Sequence, residues 1–491
     1  MGSNTFRLVV FRFRPGGAFQ LTEEVREGVR LSSGQVNGRL AEAALGRAAR
    51  ASALYAAFCE ASGISEVDAL ATSAIRDASE PEFVLQTVSA GGRIPVRVLS
   101  AEQEARYGYL GAINSTTLSD GVIVDLGGGS LQLGAVTDRL LTGAKSWPLG
   151  AVRTTEHFLA ADAAPTALAA LRAHVRATIG PTDWLLGGRL VGMGGSVRTL
   201  ATMAQRAESY PLDEIHGYHM SRDQIGALIE QMAALPANER QRIAGLKADR
   251  ADITLAAAVV LDTAMEQLGM ATLEVCAQGL RWGAFYERYL GSQEPRFPNV
   301  RAASVLNVAR IYRYDRVHAE HVAELALQIF DGLASLGLHS GDPLEREWLW
   351  AASILHDIGV IVDYNDHHRH GEYLVMNAGL PGFRHRELAI IGLLVRSHRK
   401  ALPTIGWRAP LMNSGDDTLL LRLAVCLRIA EQLERGRSQR IRQVQLIAVG
   451  NAVHLRLGTN GDASVARWAA SSETGAFAQA FGRPLTLLPG S

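Results

Sequence analysis

Val122-Ile123-Val124-Asp125-Leu126-Gly127-Gly128-Gly129-Ser130 is an apolar run that ends in an acid, followed by three glycines and a hydroxyl. Val and Ile suit a buried pleated strand, and the glycines end it abruptly. Glycine lets backbone N–H groups approach an anion where a side chain would block the way. Asp125 falls at the strand tip, from which a carboxylate can hold a divalent cation. Strand, acid and glycine turn together describe a nucleotide or polyphosphate site. The spacing is neither that of a Walker loop nor that of a dinucleotide-binding turn opening a helix.

The surrounding pattern extends this reading. Residues 131–136 continue as a hairpin partner, 164–179 read as a helix and 189–192 as a strand, and Gly194-Gly195-Ser196 opens another helix. The N-terminal part follows a similar order. Gly2-Ser3-Asn4 precedes an apolar run at 8–11, Pro15-Gly16-Gly17 breaks it, and 19–26 resumes an extended pattern, which makes a hairpin. Helical spacing over 35–62, short strands at 68–73 and 94–99, and a helix from Ser100 follow. Gly2-Ser3-Asn4 and Gly127-Gly128-Gly129-Ser130 thus hold equivalent places in two α/β halves, with a ligand expected in the cleft between them. Chance likeness of two β-turn-β units would give the same pattern.

At 491 residues the chain is too long for one core. Its formal net charge is zero, so bulk charge supports neither a nucleic-acid nor a membrane partner. A polyanionic substrate would need a local basic groove. Only Lys145, Lys247 and Lys400 are lysines. The remaining basic residues are arginines, which grip phosphate bidentately or simply reflect codon bias. Cys59, Cys276 and Cys426 are isolated, which fits a reducing cytoplasm. The N-terminus lacks the regions of a signal peptide, and the longest apolar run, 388–395, is too short to span a bilayer. Pro295 and Pro298 mark a linker. Beyond it helical patterns run to about residue 442, and 443–457 alternates as a small C-terminal β-element.

Three further stretches bear chemistry. Ala71-Thr72-Ser73-Ala74-Ile75-Arg76-Asp77 ends a strand with hydroxyls and an arginine that could grip phosphate. It reads better as a helix start capped by Ser73. Glu102-Gln103-Glu104-Ala105-Arg106 sets two acids in a helix's first turn, either facing a metal–phosphate site or merely solvated. Gly192-Met193-Gly194-Gly195-Ser196-Val197-Arg198 offers helix N-terminal amides to an anion, or is only a tight turn.

These motifs, with Gly2-Ser3-Asn4-Thr5-Phe6-Arg7-Leu8, the glycine run at Asp125 and Pro148-Leu149-Gly150-Ala151-Val152-Arg153, occur in order over residues 1–290. Together they resemble the exopolyphosphatase / guanosine pentaphosphate phosphohydrolase family. The resemblance implies an α/β fold of two actin-like (ribonuclease-H-like) domains, 1–118 and 119–292. It implies Mg²⁺- or Mn²⁺-dependent release of terminal orthophosphate from inorganic polyphosphate, with guanosine pentaphosphate as the alternative substrate. It also carries roles onto residues. Glu104 becomes the catalytic glutamate and, with Asp125, a metal ligand. Gly127, Gly128, Gly129 and Ser130 become the phosphate loop, and Ser3, Asn4 and Arg76 the first domain's phosphate contacts. Gly194, Gly195 and Ser196 are taken as a further phosphate turn. A cytoplasmic homodimer with no nucleic-acid or membrane partner is expected.

Two departures stand out. The family carries Asp-Ile ahead of Gly-Ser-Asn, whereas Met1 stands directly before Gly2, leaving the first strand truncated and its acid absent. We read this as a start assigned too far downstream or a trimmed end. The acid expected seven residues after Asp125 is Gln132, which supplies no charge and cannot act as a base. Weaker Mg²⁺ binding or a shifted role for Glu104 is expected. A non-catalytic binder of guanosine alarmone or polyphosphate, and a phosphotransferase acting from polyphosphate to a nucleotide, remain alternatives on the same fold.

The C-terminal region carries a second signal. His318 opens His-Ala-Glu-His-Val, His356-Asp357 follows an apolar helix, and His367, His368, His370, His385 and His398 come after. Glu431 stands where a final aspartate is expected. This is similar to the HD phosphohydrolase superfamily. It implies an all-α HD-like domain over 300–442, a small β/tail element over 443–491, and a possible second metal on His318, His356, Asp357 and Glu431. The alternative is a structural module that extends a substrate channel and a dimer interface.

Overall fold

The N-terminal half is built on two small sheets. Strands β1 (Phe6–Phe13) and β2 (Phe19–Glu27) form an antiparallel hairpin, and β3 (Ala69–Ala71) and β4 (Val96–Val98) a separate parallel pair. The following half is one mixed sheet of β5 (Gly121–Leu126), β6 (Leu131–Thr137), β7 (Leu140–Trp147), β8 (Arg189–Met193), β9 (His219–Ser221) and β10 (Thr272–Val275). Its order is β7-β6-β5-β8-β10-β9, with β5 antiparallel to β6 and parallel to β8. This computed structural model describes residues 1–159, 163–185 and 187–488.

The two halves match in part, with β5 and β9 of the second left over. The hairpin β1/β2 corresponds to β6/β7, and the pair β3/β4 to β8/β10. Among the described residues β5 has no strand-length counterpart. Met1 alone takes its place: its amino group donates to Leu70 O at 2.6 Å, and its carbonyl accepts from Thr72 N at 3.3 Å. That is the bonding of a single parallel bridge opposite Ala71. The two sheets therefore stay separate, and a cavity of about 820 Å³ is lined by residues of both, among them Val10, Phe13, Leu70 and Val96.

β5 is central because it is apolar on both faces. Val122, Val124 and Leu126 pack into one core with Leu133, Leu200 and Leu261, while Ile123 packs into another with Leu110 and Val191. An aromatic cluster holds the first hairpin against helix Leu280–Leu290: Phe11 stacks on Phe285 at 4.2 Å, and Phe19 meets Tyr289 at 4.9 Å.

The chain divides into two compact units, Met1–Pro298 and Asn299–Ser491. The second unit is mainly helical, with long helices Arg316–Ser335 and Asp416–Leu433. The C-terminal alternation forms β11 (Ile441–Val449) and β12 (Ala452–Thr459), joined by β13 (Leu485–Leu487). Val444, Leu455 and Phe477 share one core with Phe330 and Leu394 of the helices. Among the described residues no helix is long and apolar enough to cross a membrane.

Candidate active site

The glycine turn after β5 is held from behind. Ala151 N and Val152 N, opening helix Ala151–Phe158, donate to the carbonyls of Gly127 at 3.0 Å and Gly128 at 2.9 Å. With those carbonyls engaged, amides are what the loop can offer an anion. Gly129 has no room for a side chain, since a Cβ there would lie 2.8 Å from Ser3 Oγ and 2.9 Å from Ser73 Oγ. A Cβ on Gly128 would sit 3.4 Å from the backbone N of Asn4. The turns at Gly2-Ser3-Asn4 and Gly127-Gly128-Gly129-Ser130 therefore meet face to face. Ser3 Oγ and Ser73 Oγ are 3.3 Å apart.

One sequence reading is corrected here. Ser73 does not cap helix Ser73–Arg76; Thr72 occupies the cap position and makes no side-chain cap bond. The strand ends at Ala71, two residues earlier than the pattern suggested, which leaves the Ser73 hydroxyl to Ser3.

The third glycine turn closes the site. Gly194 has φ +100°, and a Cβ on it would meet Asp125 Oδ1 at 2.8 Å. Gly195 opens helix Gly195–Ala207, and Ser196 is buried at its start, accepting from Arg250 Nη2 at 3.4 Å.

Glu104 lies in the first turn of helix Ala101–Ile113, whose start is fixed by a capping box between Ser100 and Gln103. Arg76 Nη1 donates to Glu104 Oε2 at 2.9 Å and to Leu99 O at 3.0 Å. The guanidinium expected on phosphate is thus engaged with the carboxylate. Burial raises the Glu104 pKa, and Arg76 opposes it. Asp125 is pushed up to about 7, by burial first and by the Glu104 charge second, with Arg198 opposing. Gln132 is buried directly opposite Asp125 in the β5/β6 ladder, so both side chains project from the same face.

These residues fit a hard divalent cation. Two desolvated carboxylates, serine hydroxyls and the oxygens of a phosphate are the donors Mg²⁺ or Mn²⁺ prefers. The raised Asp125 pKa marks a carboxylate whose charge lacks a close cation.

Arginines that the sequence reading passed over line the same cavity, among them Arg7, Arg198, Arg250 and Arg281. Burial and the neighbouring guanidiniums hold Arg198 down to about 9 and Arg250 down to about 10. Glu24 is shared between Arg7 at 2.8 Å and Arg281 at 3.2 Å. Arg250 Nε is buried without a hydrogen-bond partner. Arg7 and Arg198 lie inside the quoted motifs, where only the glycines and hydroxyls drew notice. An arginine following a glycine turn was the available signal.

In the second unit the metal residues expected there converge. His318 Nε2 and His356 Nε2 each lie 3.2 Å from Glu431 Oε2, and 3.7 and 3.5 Å from Asp357 Oδ2. His356 is pushed up to about 9: burial disfavours its charge, but Asp357 and Glu431 outweigh that. His367 and His398 reach the other oxygen of Asp357. His368, His370 and His385 join neither group of converging ligand atoms.

Comparison with known proteins supplies relatives for both units. Residues 9–291 match the Ppx/GppA phosphatase family, and residues 300–466 match domain III of Ppx/GppA phosphatases. A Vibrio vulnificus protein named guanosine-5'-triphosphate,3'-diphosphate pyrophosphatase is 25% identical over 436 residues, which is 87% of this chain and 85% of its own. The crystal structure of the Aquifex aeolicus member of the Ppx/GppA family superposes with a TM-score of 0.51 at 26% identity, covering 60% of this chain and 97% of that one. An exopolyphosphatase from Cytophaga hutchinsonii gives a TM-score of 0.56 at 21% identity, over 60% of this chain and 98% of its own, a likeness of fold alone.

Proposed function

The chain belongs to the Ppx/GppA phosphatase family of phosphoanhydride hydrolases, and from that premise we propose that it releases terminal orthophosphate from inorganic polyphosphate. The observation that carries the choice of substrate is the row of arginines. Arg7, Arg198, Arg250 and Arg281 line a cavity that also takes in Gly127, Gly128 and Gly194. Arg7 and Arg281 share Glu24, but Arg198 and Arg250, both held down by burial, form no ion pair among the described residues, which favours a polyanion as the ligand that neutralises them.

Each group has a part in the hydrolysis. The amides of the glycine turns and the hydroxyls of Ser3, Ser130 and Ser196 hold the terminal phosphate. Asp125 and Glu104 would hold Mg²⁺, which supplies charge neutralisation on the phosphate oxygens when bound. Glu104, oriented by Arg76, takes a proton from the attacking water. The water oxygen bonds to phosphorus, the bridging P–O bond breaks, and the shortened chain leaves as an anion. Burial raises the Glu104 pKa, which moves it towards a useful base strength.

A second reading, hydrolysis of guanosine pentaphosphate, is favoured by the likeness to the Vibrio vulnificus pyrophosphatase. For the second unit we infer an HD-like module that holds one metal ion on His318, His356, Asp357 and Glu431. The deciding assay supplies protein and Mg²⁺ with long-chain polyphosphate, or with guanosine pentaphosphate, with and without ADP. Orthophosphate from the polymer is the expected result. Release only from guanosine pentaphosphate would establish the second reading, ATP formation a phosphotransferase, and binding without turnover a sensor.

A further inference from the structure

We propose that Arg30 is a positioning residue for phosphate binding: from the first half it clasps the chain on both sides of Arg250 and so fixes that guanidinium over the third glycine turn. This rests on the polyphosphate reading above and deepens it with a residue that acts through another. Arg250 lines the cavity, whereas Arg30, Asp249 and Asp252 lie outside its lining.

Arg30 grips the segment at two points. Its Nη2 donates to the backbone O of Asp249 at 3.0 Å. Its Nη1 donates to Asp252 Oδ2 at 2.9 Å, with Nη2 3.4 Å from Asp252 Oδ1. These acceptors stand immediately before Arg250 and two residues after it. Arg26 adds a further hold from the same half, donating from Nη2 to Asp249 Oδ2 at 2.5 Å. A planar fork that meets a carboxylate with two nitrogens fixes orientation as well as distance.

Arg30 is itself anchored to the first phosphate turn. It has φ +46°, and its backbone N donates to Asn4 O at 2.8 Å, while Ser32 N donates to Ser3 O at 3.2 Å. Arg47 braces this stretch, its Nε donating to Val29 O at 2.8 Å and its Nη2 to Arg30 O at 3.4 Å. Arg250 reaches the third turn at the other end. Its Nη2 lies 3.4 Å from Ser196 Oγ, and a Cβ on Gly195 would meet its Nη1 at 2.5 Å. A continuous line of bonds therefore runs from Gly2-Ser3-Asn4 through Arg30 and residues 249–252 to Ser196. It ties the amides offered by one half to the guanidinium offered by the other.

The clasp sets geometry rather than stability. The Arg30 and Asp252 side chains are 43% and 42% exposed, and ion pairs this open contribute little to folding. Arg250, by contrast, is buried, and its Nε has no hydrogen-bond partner. Burial and the charges of Arg26 and Arg7 act against its ionisation, and Asp249 and Asp252 offset them. Two acids beside an anion site repel the ligand unless they are engaged elsewhere. Here both are turned onto arginines of the opposite half.

The test is a double-mutant cycle on the full chain, read by calorimetry as affinity for inorganic tripolyphosphate with a chelator present, so that no turnover intervenes. Asp252→Ala removes a negative charge near an anion site, and charge alone predicts tighter binding. The clasp predicts the reverse: binding about tenfold weaker, matched by Arg30→Gln, with the double variant no weaker than either single one. In an Arg250→Gln background neither change should weaken binding further. Tighter or unchanged binding in Asp252→Ala, or losses that add in either background, would overturn the proposal. No binding of tripolyphosphate to the parent would refute the phosphate role of Arg250 and the clasp with it. Both clasp residues are exposed, and circular dichroism checks that the variants fold. With Mg²⁺ and long-chain polyphosphate, Arg30→Gln should raise KM about tenfold and leave kcat within about twofold, because Arg250 grips the chain before and during reaction alike. A loss in kcat at unchanged KM would overturn the proposal. A parent that releases no orthophosphate from the polymer would refute the polyphosphate reading, and the metal-free cycle would still decide the clasp.

Discussion

At Asp125, burial and the charge of Glu104 act together to raise the carboxyl pKa from 3.8 to about 7. The folded protein therefore binds that proton more tightly than the unfolded chain. Its contribution to stability is present below pH 3.8 and is lost as pH rises to about 7. Metal-free protein should lose stability relative to Asp125→Asn across that window, and Mg²⁺ should restore more to the parent than to the variant. Thermal unfolding of both proteins at stepped pH checks this; parallel curves would contradict it. Gln132 invites the opposite change. Gln132→Glu sets a second carboxylate across the strand from Asp125, and the Mg²⁺ requirement for phosphate release should fall about tenfold. An unchanged Mg²⁺ profile would mean that Gln132 lies outside the metal's reach. Asp125 was legible in the sequence because an acid before a glycine run has a chemical meaning wherever it folds. Arg198 and Arg250 were not, because a guanidinium's role depends on neighbours drawn from distant segments, and a net charge of zero conceals a local cluster.

At the scale of elements, the site is a meeting of tight turns. Gly129 is wedged between Ser3 and Ser73. Gly129→Ala should cost about 1–3 kcal/mol of stability through overpacking, and should lower phosphate release by at least about tenfold by moving the loop amides. Denaturant unfolding and the phosphate assay measure the two effects; full activity at native stability would show that the turns separate freely. The hairpin β1/β2, the helix begun at Ser100 and the glycine turns could be read from sequence because their signals are local. β7 could not, since an edge strand that alternates between exposed and half-buried residues has little hydrophobic period to detect. β9 and β10 are short, with only three and four residues. The face-to-face meeting of the two glycine turns is tertiary, and only the likeness of the two halves hinted at it.

Over the whole molecule, charge neutrality and local basicity coexist. The chain has as many acids as bases, yet six arginines line one cavity. Polyphosphate binding should weaken steeply with salt, and Arg250→Gln should lower the slope of log affinity against log salt by about one. Affinity measured from low to high ionic strength checks this; an unchanged slope would place Arg250 away from the polymer. The pairing of the two halves also sets how the backbone exchanges hydrogen with solvent. β1 bonds to β2 along one edge and has no strand along the other among the described residues. In an antiparallel pair only alternate amides reach the neighbour. Deuterium uptake along Phe6–Phe13 should therefore rise and fall with a period of two, slow at one residue and fast at the next. Uptake along β5, flanked by β6 and β8, should be uniformly slow. Two strands at equivalent places in related halves would then keep different time, one ticking at every other amide and the other nearly silent.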